Sequence, residues 1–81
     1  MSTTQLARVR TAVRTGAARR VRLAAQITQP EIAADVQVSA AAISRWEAGE
    51  RAPRGAAALR YLRVLERLSA ATGVPLDGGA R

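Results

Sequence analysis

The sequence has no cysteine, no histidine, no lysine and no phenylalanine, and its 81 residues include one tryptophan and one tyrosine. Without cysteine there are no disulfides and no thiol nucleophile. With histidine missing as well, the usual zinc ligand sets are gone. So is the commonest general base. The composition therefore points away from an enzyme and implies no cofactor and no metal. No apolar run approaches the roughly 18 residues of a membrane-spanning helix, and none resembles a signal-peptide core, so no membrane partner is expected. Acids are scarce too.

What is present is arginine. Thirteen basic residues, all Arg, stand against six acids, giving a formal net charge of +7 and a pI near 11.8. Six of these arginines precede Glu31, the first acid. With 48% apolar residues the chain is not disordered by composition, a class that combines low hydrophobicity with high charge. Its length suits one small domain, which buries only about 60% of the surface its unfolded chain exposes. A basic, cysteine-free domain has nucleic acid as its default partner.

Helical periodicity runs through nearly the whole chain, and no segment alternates with period two. Leu6, Val9 and Val13 form one stripe of a short amphipathic helix. Thr15-Gly16 interrupts it, and a second helix is predicted from about Ala17 to Ala25 with Ala18, Val21 and Ala25 inward; one helix bent at Gly16 is the alternative. Thr28-Gln29-Pro30-Glu31 is a sharp start signal. Thr28 can cap, Glu31 sits three residues later as the capping-box acid, and Pro30 occupies the first turn, where its missing N–H costs nothing. That helix runs to about Val36. Ser39 opens another, through Ile43 and Trp46 to Glu47. Residues 48–53 read as a loop. From about Arg54 a longer helix carries Leu59, Leu62, Leu65 and Leu68 at three-residue steps, with Tyr61 beside them, and ends near Gly73. The chain is expected to be all-α, with five helices.

Two of these helices, joined by about three residues between Gln29 and Ala48, must cross at a large angle, which is a helix-turn-helix. Its buried positions are apolar or small: Ile32, Ala33, Val36, Val38, Ile43 and Trp46. An ordinary helical hairpin shares that core pattern. The capping box, the Ser39 start and the basic charge favour the DNA-binding version.

The residues Thr28-Gln29-x-Glu31-Ile32-Ala33, followed by Val38-Ser39-x-x-x-Ile43-Ser44-x-Trp46-Glu47-x-Gly49-x-Arg51-x-Pro53, resemble the phage repressor and Cro type of helix-turn-helix regulator. The resemblance covers roughly residues 16–68. It implies a lambda-repressor-like domain over 16–69, preceded by an extra amphipathic helix in 1–15 and followed by a flexible tail in 70–81. Residues 1–30 imitate a transit peptide, but removing 1–26 would delete the first helix of this fold.

Position by position, the resemblance gives the helix after Ser39 the task of reading DNA, with Ser39, Ala40, Ala41, Ser44 and Arg45 facing base edges in the major groove. Arg45 is the strongest of these, because a guanidinium matches guanine O6 and N7 bidentately. Gln29 and Thr28 match phosphate-binding positions at the start of the preceding helix. Arg19, Arg20, Arg51 and Arg54 are candidate backbone contacts, and Arg22 with Glu47 matches a structural ion pair. The chain departs from the pattern at Gln37, where the turn usually has Gly, and in having no room for a second domain. The function implied is a sequence-specific regulator of double-stranded DNA, a phage or mobile-element repressor acting in the cytoplasm at the nucleoid. The alternative is an antitoxin-like module that binds a small protein first and DNA second. A homodimer is compatible with both.

Overall fold

The computed structural model describes residues 2–77 and contains five helices, with no strand among the described residues: α1 Thr3–Arg14, α2 Ala17–Ala24, α3 Gln29–Val36, α4 Ala40–Glu47 and α5 Gly55–Thr72. Local chemistry sets most of the boundaries. Thr28 and Glu31 form the expected capping box on α3: the Glu31 N–H donates to Thr28 Oγ1 at 3.1 Å and the Thr28 N–H donates to the Glu31 carboxylate at 2.8 Å. Ser39 caps α4 through the Ala42 N–H at 3.0 Å. A second capping box, Ser2 with Gln5, starts α1. At Gly16 the chain takes φ +82°, a left-handed value, so α1 and α2 are two helices and not one bent helix.

All five helices close on one core. Val9 and Ala12 of α1, Ala18 and Val21 of α2, Ile32 and Val36 of α3, Ile43 and Trp46 of α4, and Tyr61, Leu62 and Leu65 of α5 are all buried. Helix α1 thus packs into the same core as the other four. The radius of gyration of 11.1 Å agrees with the roughly 12 Å of a compact chain of this size, with no detached arm among the described residues.

Three expectations are corrected. On α5 the deepest positions are Ala58, Tyr61, Leu62 and Leu65, whereas Leu59 and Leu68 are half-buried. A three-residue step drifts backwards round a helix of about 3.6 residues per turn, so nine residues on, Leu68 faces roughly opposite to Leu59. On α2, Ala25 is only half-buried and the buried residue of that turn is Arg22. Finally, α5 ends at Gly73 as its sequence signal predicts, but the residues just beyond it do not form the flexible tail expected from residue 70. Helix α5 continues to Thr72 and ends at the left-handed Gly73, Ser69 Oγ donates to the Val74 carbonyl at 2.6 Å, and Leu76 is buried against the core. The rest of the expected tail, residues 78–81, lies outside the described residues.

Candidate nucleic-acid interface

Helix α4 follows α3 after the three residues 37–39. Its inner face, Ile43 and Trp46, is buried, which leaves Ala41, Ser44, Arg45 and Ala48 exposed at i, i+3, i+4 and i+7 spacing. Such a stripe can enter a groove without disturbing the core. Of the five expected base-edge positions, Ser39, Ala41, Ser44 and Arg45 are exposed, while Ala40 is half-buried against the core. Ser39 Oγ is occupied as an acceptor by the cap, and its hydroxyl proton remains available.

The far end of α4 is anchored by charge. Arg22 Nε and Nη2 donate to the two carboxylate oxygens of Glu47 at 2.6 and 2.9 Å, a bidentate fork. The third guanidinium nitrogen, Nη1, donates to the Ile27 carbonyl at 2.8 Å. Both side chains are almost fully covered, at 8% and 3% exposure. Burial pushes the Glu47 carboxyl up. Hydrogen bonds from Arg22 and Gln29, with the charges of Arg22 and Arg19, outweigh it and hold the carboxyl below its ordinary range. The hydrogen bond to Glu47 in turn raises Arg22 above its ordinary value against the opposing effect of burial.

Gln29 belongs to this junction. Its Nε2 donates to Glu47 Oε1 at 3.1 Å, so a single carboxylate receives groups from α2 and from the first residue of α3. The sequence treats Gln29 and the ion pair as separate features; the fold joins them. One amide hydrogen of Gln29 is left for an outside acceptor, and its position is set by Glu47.

The other expected phosphate contacts are dispersed round this centre. Thr28 is exposed; its hydroxyl oxygen accepts the cap bond, and its proton remains available. Arg19, Arg51 and Arg54 are exposed. Arg20 is exposed and donates to the Thr15 carbonyl at 3.1 Å, which folds it back over the α1–α2 corner. The Arg45 carbonyl accepts the N–H of Glu50 at 2.9 Å, turning the loop that carries Arg51 back on the end of α4.

Three further residues shape the site, and sequence reading did not single them out for these roles. Arg60 of α5 donates from Nε to the Val36 carbonyl at 2.8 Å, satisfying the end of α3 where the turn begins. Gln26 takes φ +59° after α2 and closes a Schellman-type end; Gln37, the expected departure from Gly in the turn, does the same after α3 at φ +66°. Neither is signalled by a glycine. Tyr61, fully buried and tilted against Trp46 at 4.9 Å between ring centroids, has a hydroxyl with no hydrogen-bond partner. Burial and the charge of Glu47 raise its pKa, partly offset by Arg22.

Neither the curated proteins nor the solved structures give a match to the chain. The helix-turn-helix family does, over residues 19–78, which takes in the ion pair, both helices of the motif and α5 but leaves out α1. That span is most of the chain, and the geometry inside it is a helix with a free outer stripe set behind a capped partner helix. The chain belongs to the Cro/C1-type helix-turn-helix family of DNA-binding regulators.

Proposed function

We propose that the protein is a sequence-specific transcription regulator, a repressor of the kind carried by phages and mobile elements, which acts by occupying an operator and blocking polymerase. The observation that supports this most is the mounting of α4: an exposed stripe of Ala41, Ser44 and Arg45 on a helix whose inner face is buried and whose end is fixed by the Arg22–Glu47 pair. A rigid reading helix costs little ordering on binding. In this reading Arg45 reads a guanine. Ser39 and Ser44 supply short hydrogen bonds, and Ala41, with Ala40 at the margin, gives a methyl surface against thymine. Gln29 and the α3 N-terminus hold one phosphate, with Thr28, Arg19, Arg20, Arg51 and Arg54 along the backbone.

Selection of bound duplexes from a randomised DNA pool, at near-physiological salt, tests it. Enrichment of an inverted repeat is expected if a homodimer binds, with half-sites about one helical turn apart. No enrichment would overturn sequence-specific reading and bring the protein-partner alternative forward. On the enriched site Arg45→Ala should cost about 1–3 kcal/mol and relax one base position. Gln29→Ala should weaken specific and random duplexes alike.

A further inference from the structure

Helix α1 lies outside the matched family span and yet presents two arginines to the same region as the α4 loop. Arg10 and Arg14 line an open groove of about 680 Å³ between the α1–α2 corner and the loop after α4, with Arg51 on the loop side and Val13, Ala52 and Pro53 among its apolar lining. All three arginines are exposed, and none forms an ion pair among the described residues. Arg8 of the same helix shows the contrast, since it is paired with Glu66 of α5. Among the described residues the one acid lining the groove is Glu47, and its carboxylate is already taken by Arg22 and Gln29. Gly16, the cap residue of α2, also lines the groove, so the positive end of that helix borders the same space, where the Ala17 N–H donates to Thr15 Oγ1 at 3.4 Å. Positive charges one helical turn apart on α1, facing a third across the groove, repel one another and have no ion-pair partner among the described residues. An external anion supplies that partner.

We propose that this groove is a second backbone-binding surface, in which α1 holds the sugar–phosphate strand of duplex DNA beyond the bases read by α4. Phosphates meet Arg10, Arg14 and Arg51, and the deoxyribose carbons lie on Val13 and Ala52, with the buried Pro53 supporting the wall behind them. The surface is continuous with the α4 loop through Arg51, and the inference rests on the DNA-binding reading above. It makes no base contact, so it adds affinity without changing sequence preference.

The test is the salt dependence of binding to a labelled mixed-sequence duplex, for the wild type and two charge-matched double variants. Arg10→Gln with Arg14→Gln removes two charges from the groove; Arg63→Gln with Arg67→Gln removes two from the exposed side of α5. Gln is close to Arg in helix propensity and all four positions are exposed, so both variants keep the fold, checked by far-UV circular dichroism. The groove variant should lower the log–log salt slope by about 1–2, at about 0.9 for each phosphate released, while the α5 variant leaves the slope near the wild-type value. Ala52→Asp, which puts an acid in the groove wall without touching α1, should weaken binding on every sequence. An equal loss from both double variants would show only a generic charge effect and overturn the proposal. So would wild-type binding that neither the groove variant nor Ala52→Asp changes, with the DNA-binding reading left intact. A wild type that binds duplex without salt dependence would instead sink that reading, and this inference with it.

Discussion

The most exposed energetic risk in the molecule sits on single side chains that are buried and charged. Arg22 and Glu47 have lost nearly all contact with water, and a buried pair is tolerated only while every donor and acceptor is satisfied. Here the fork, the Ile27 carbonyl and the Gln29 amide give every guanidinium nitrogen and both carboxylate oxygens at least one partner. Removing one partner strands the other, so Arg22→Met or Glu47→Leu alone should each cost about 3–5 kcal/mol in urea unfolding. The double variant should recover much of that loss, giving a large coupling energy in the cycle; purely additive losses would mean the pair is not a unit. Because folding holds the Glu47 carboxyl below its unfolded value of about 4.5, the folded state binds fewer protons there. Its contribution is therefore complete above that value and is lost as pH falls through the lower folded pKa. Glu47→Gln should flatten the acid limb of the stability curve. Tyr61 has the opposite problem, a buried hydroxyl with no partner beside this charged junction. Tyr61→Phe should be neutral or stabilising by about 1 kcal/mol, because it removes an unmet desolvation cost while keeping the ring against Trp46. Since the folded-state pKa of Tyr61 is raised above the ordinary 10.0, its protonated form favours the fold below that value and the advantage fades as pH rises further. The Phe variant should lose that alkaline decline. A clear destabilisation would mean the hydroxyl has a partner in solution.

At the scale of the element, what could be read beforehand was the chemistry that acts within four residues. The Thr28–Glu31 box, the Ser39 cap, the Gly16 break and the Gly73 stop are local signals, and each sits where the chain needs it. Signals that depend on which face of a helix turns inward were harder to read. The run of leucines on α5 suggested a stripe that about 3.6 residues per turn does not permit, and the true stripe includes the inconspicuous Ala58. Buried Arg22 came only through the likeness to a family, since an arginine on a basic helix gives no sign of burial by itself. The Arg60 contact to Val36 spans 24 residues and carries no local mark. The turn itself illustrates the compromise. Gln37 holds φ +66°, at a cost that glycine avoids, and the Arg60 bond to the preceding carbonyl helps hold it there. Gln37→Gly trades that strain against the entropy of a freer unfolded chain, so thermal unfolding should show a small gain of about 0–1 kcal/mol. Gln37→Val should lose more than about 1 kcal/mol, because a branched side chain is a true outlier at positive φ. A tolerated valine would mean the turn has another conformation in solution.

For the whole molecule the question is whether α1 is an accessory or part of the fold. The family match begins at residue 19, yet Val9 and Ala12 are fully buried and α1 packs on α2 and α5. A domain of this size holds only about 0.05–0.15 kcal/mol per residue of net stability. Burying one valine is worth roughly 1.5–3 kcal/mol, so losing α1 would take away a contribution comparable with a large part of the total. Deleting residues 2–15 should therefore abolish the cooperative transition, and Val9→Ala should lower stability by about 2 kcal/mol without splitting it into two steps. Full-length protein should unfold in one transition that Trp46 fluorescence and far-UV circular dichroism report at the same midpoint. Non-coincident midpoints, or a residue 16–77 fragment that unfolds like the whole, would make α1 an appendage docked on a complete domain. The distinction reaches function. If α1 is integral, Arg10 and Arg14 are held at a fixed distance from Arg51 and the end of α4, and the proposed backbone contact there would fix the register of α4 on DNA. If it is an appendage, the same arginines can only add non-specific affinity, and their removal should change salt dependence while leaving the width of the protected site unchanged.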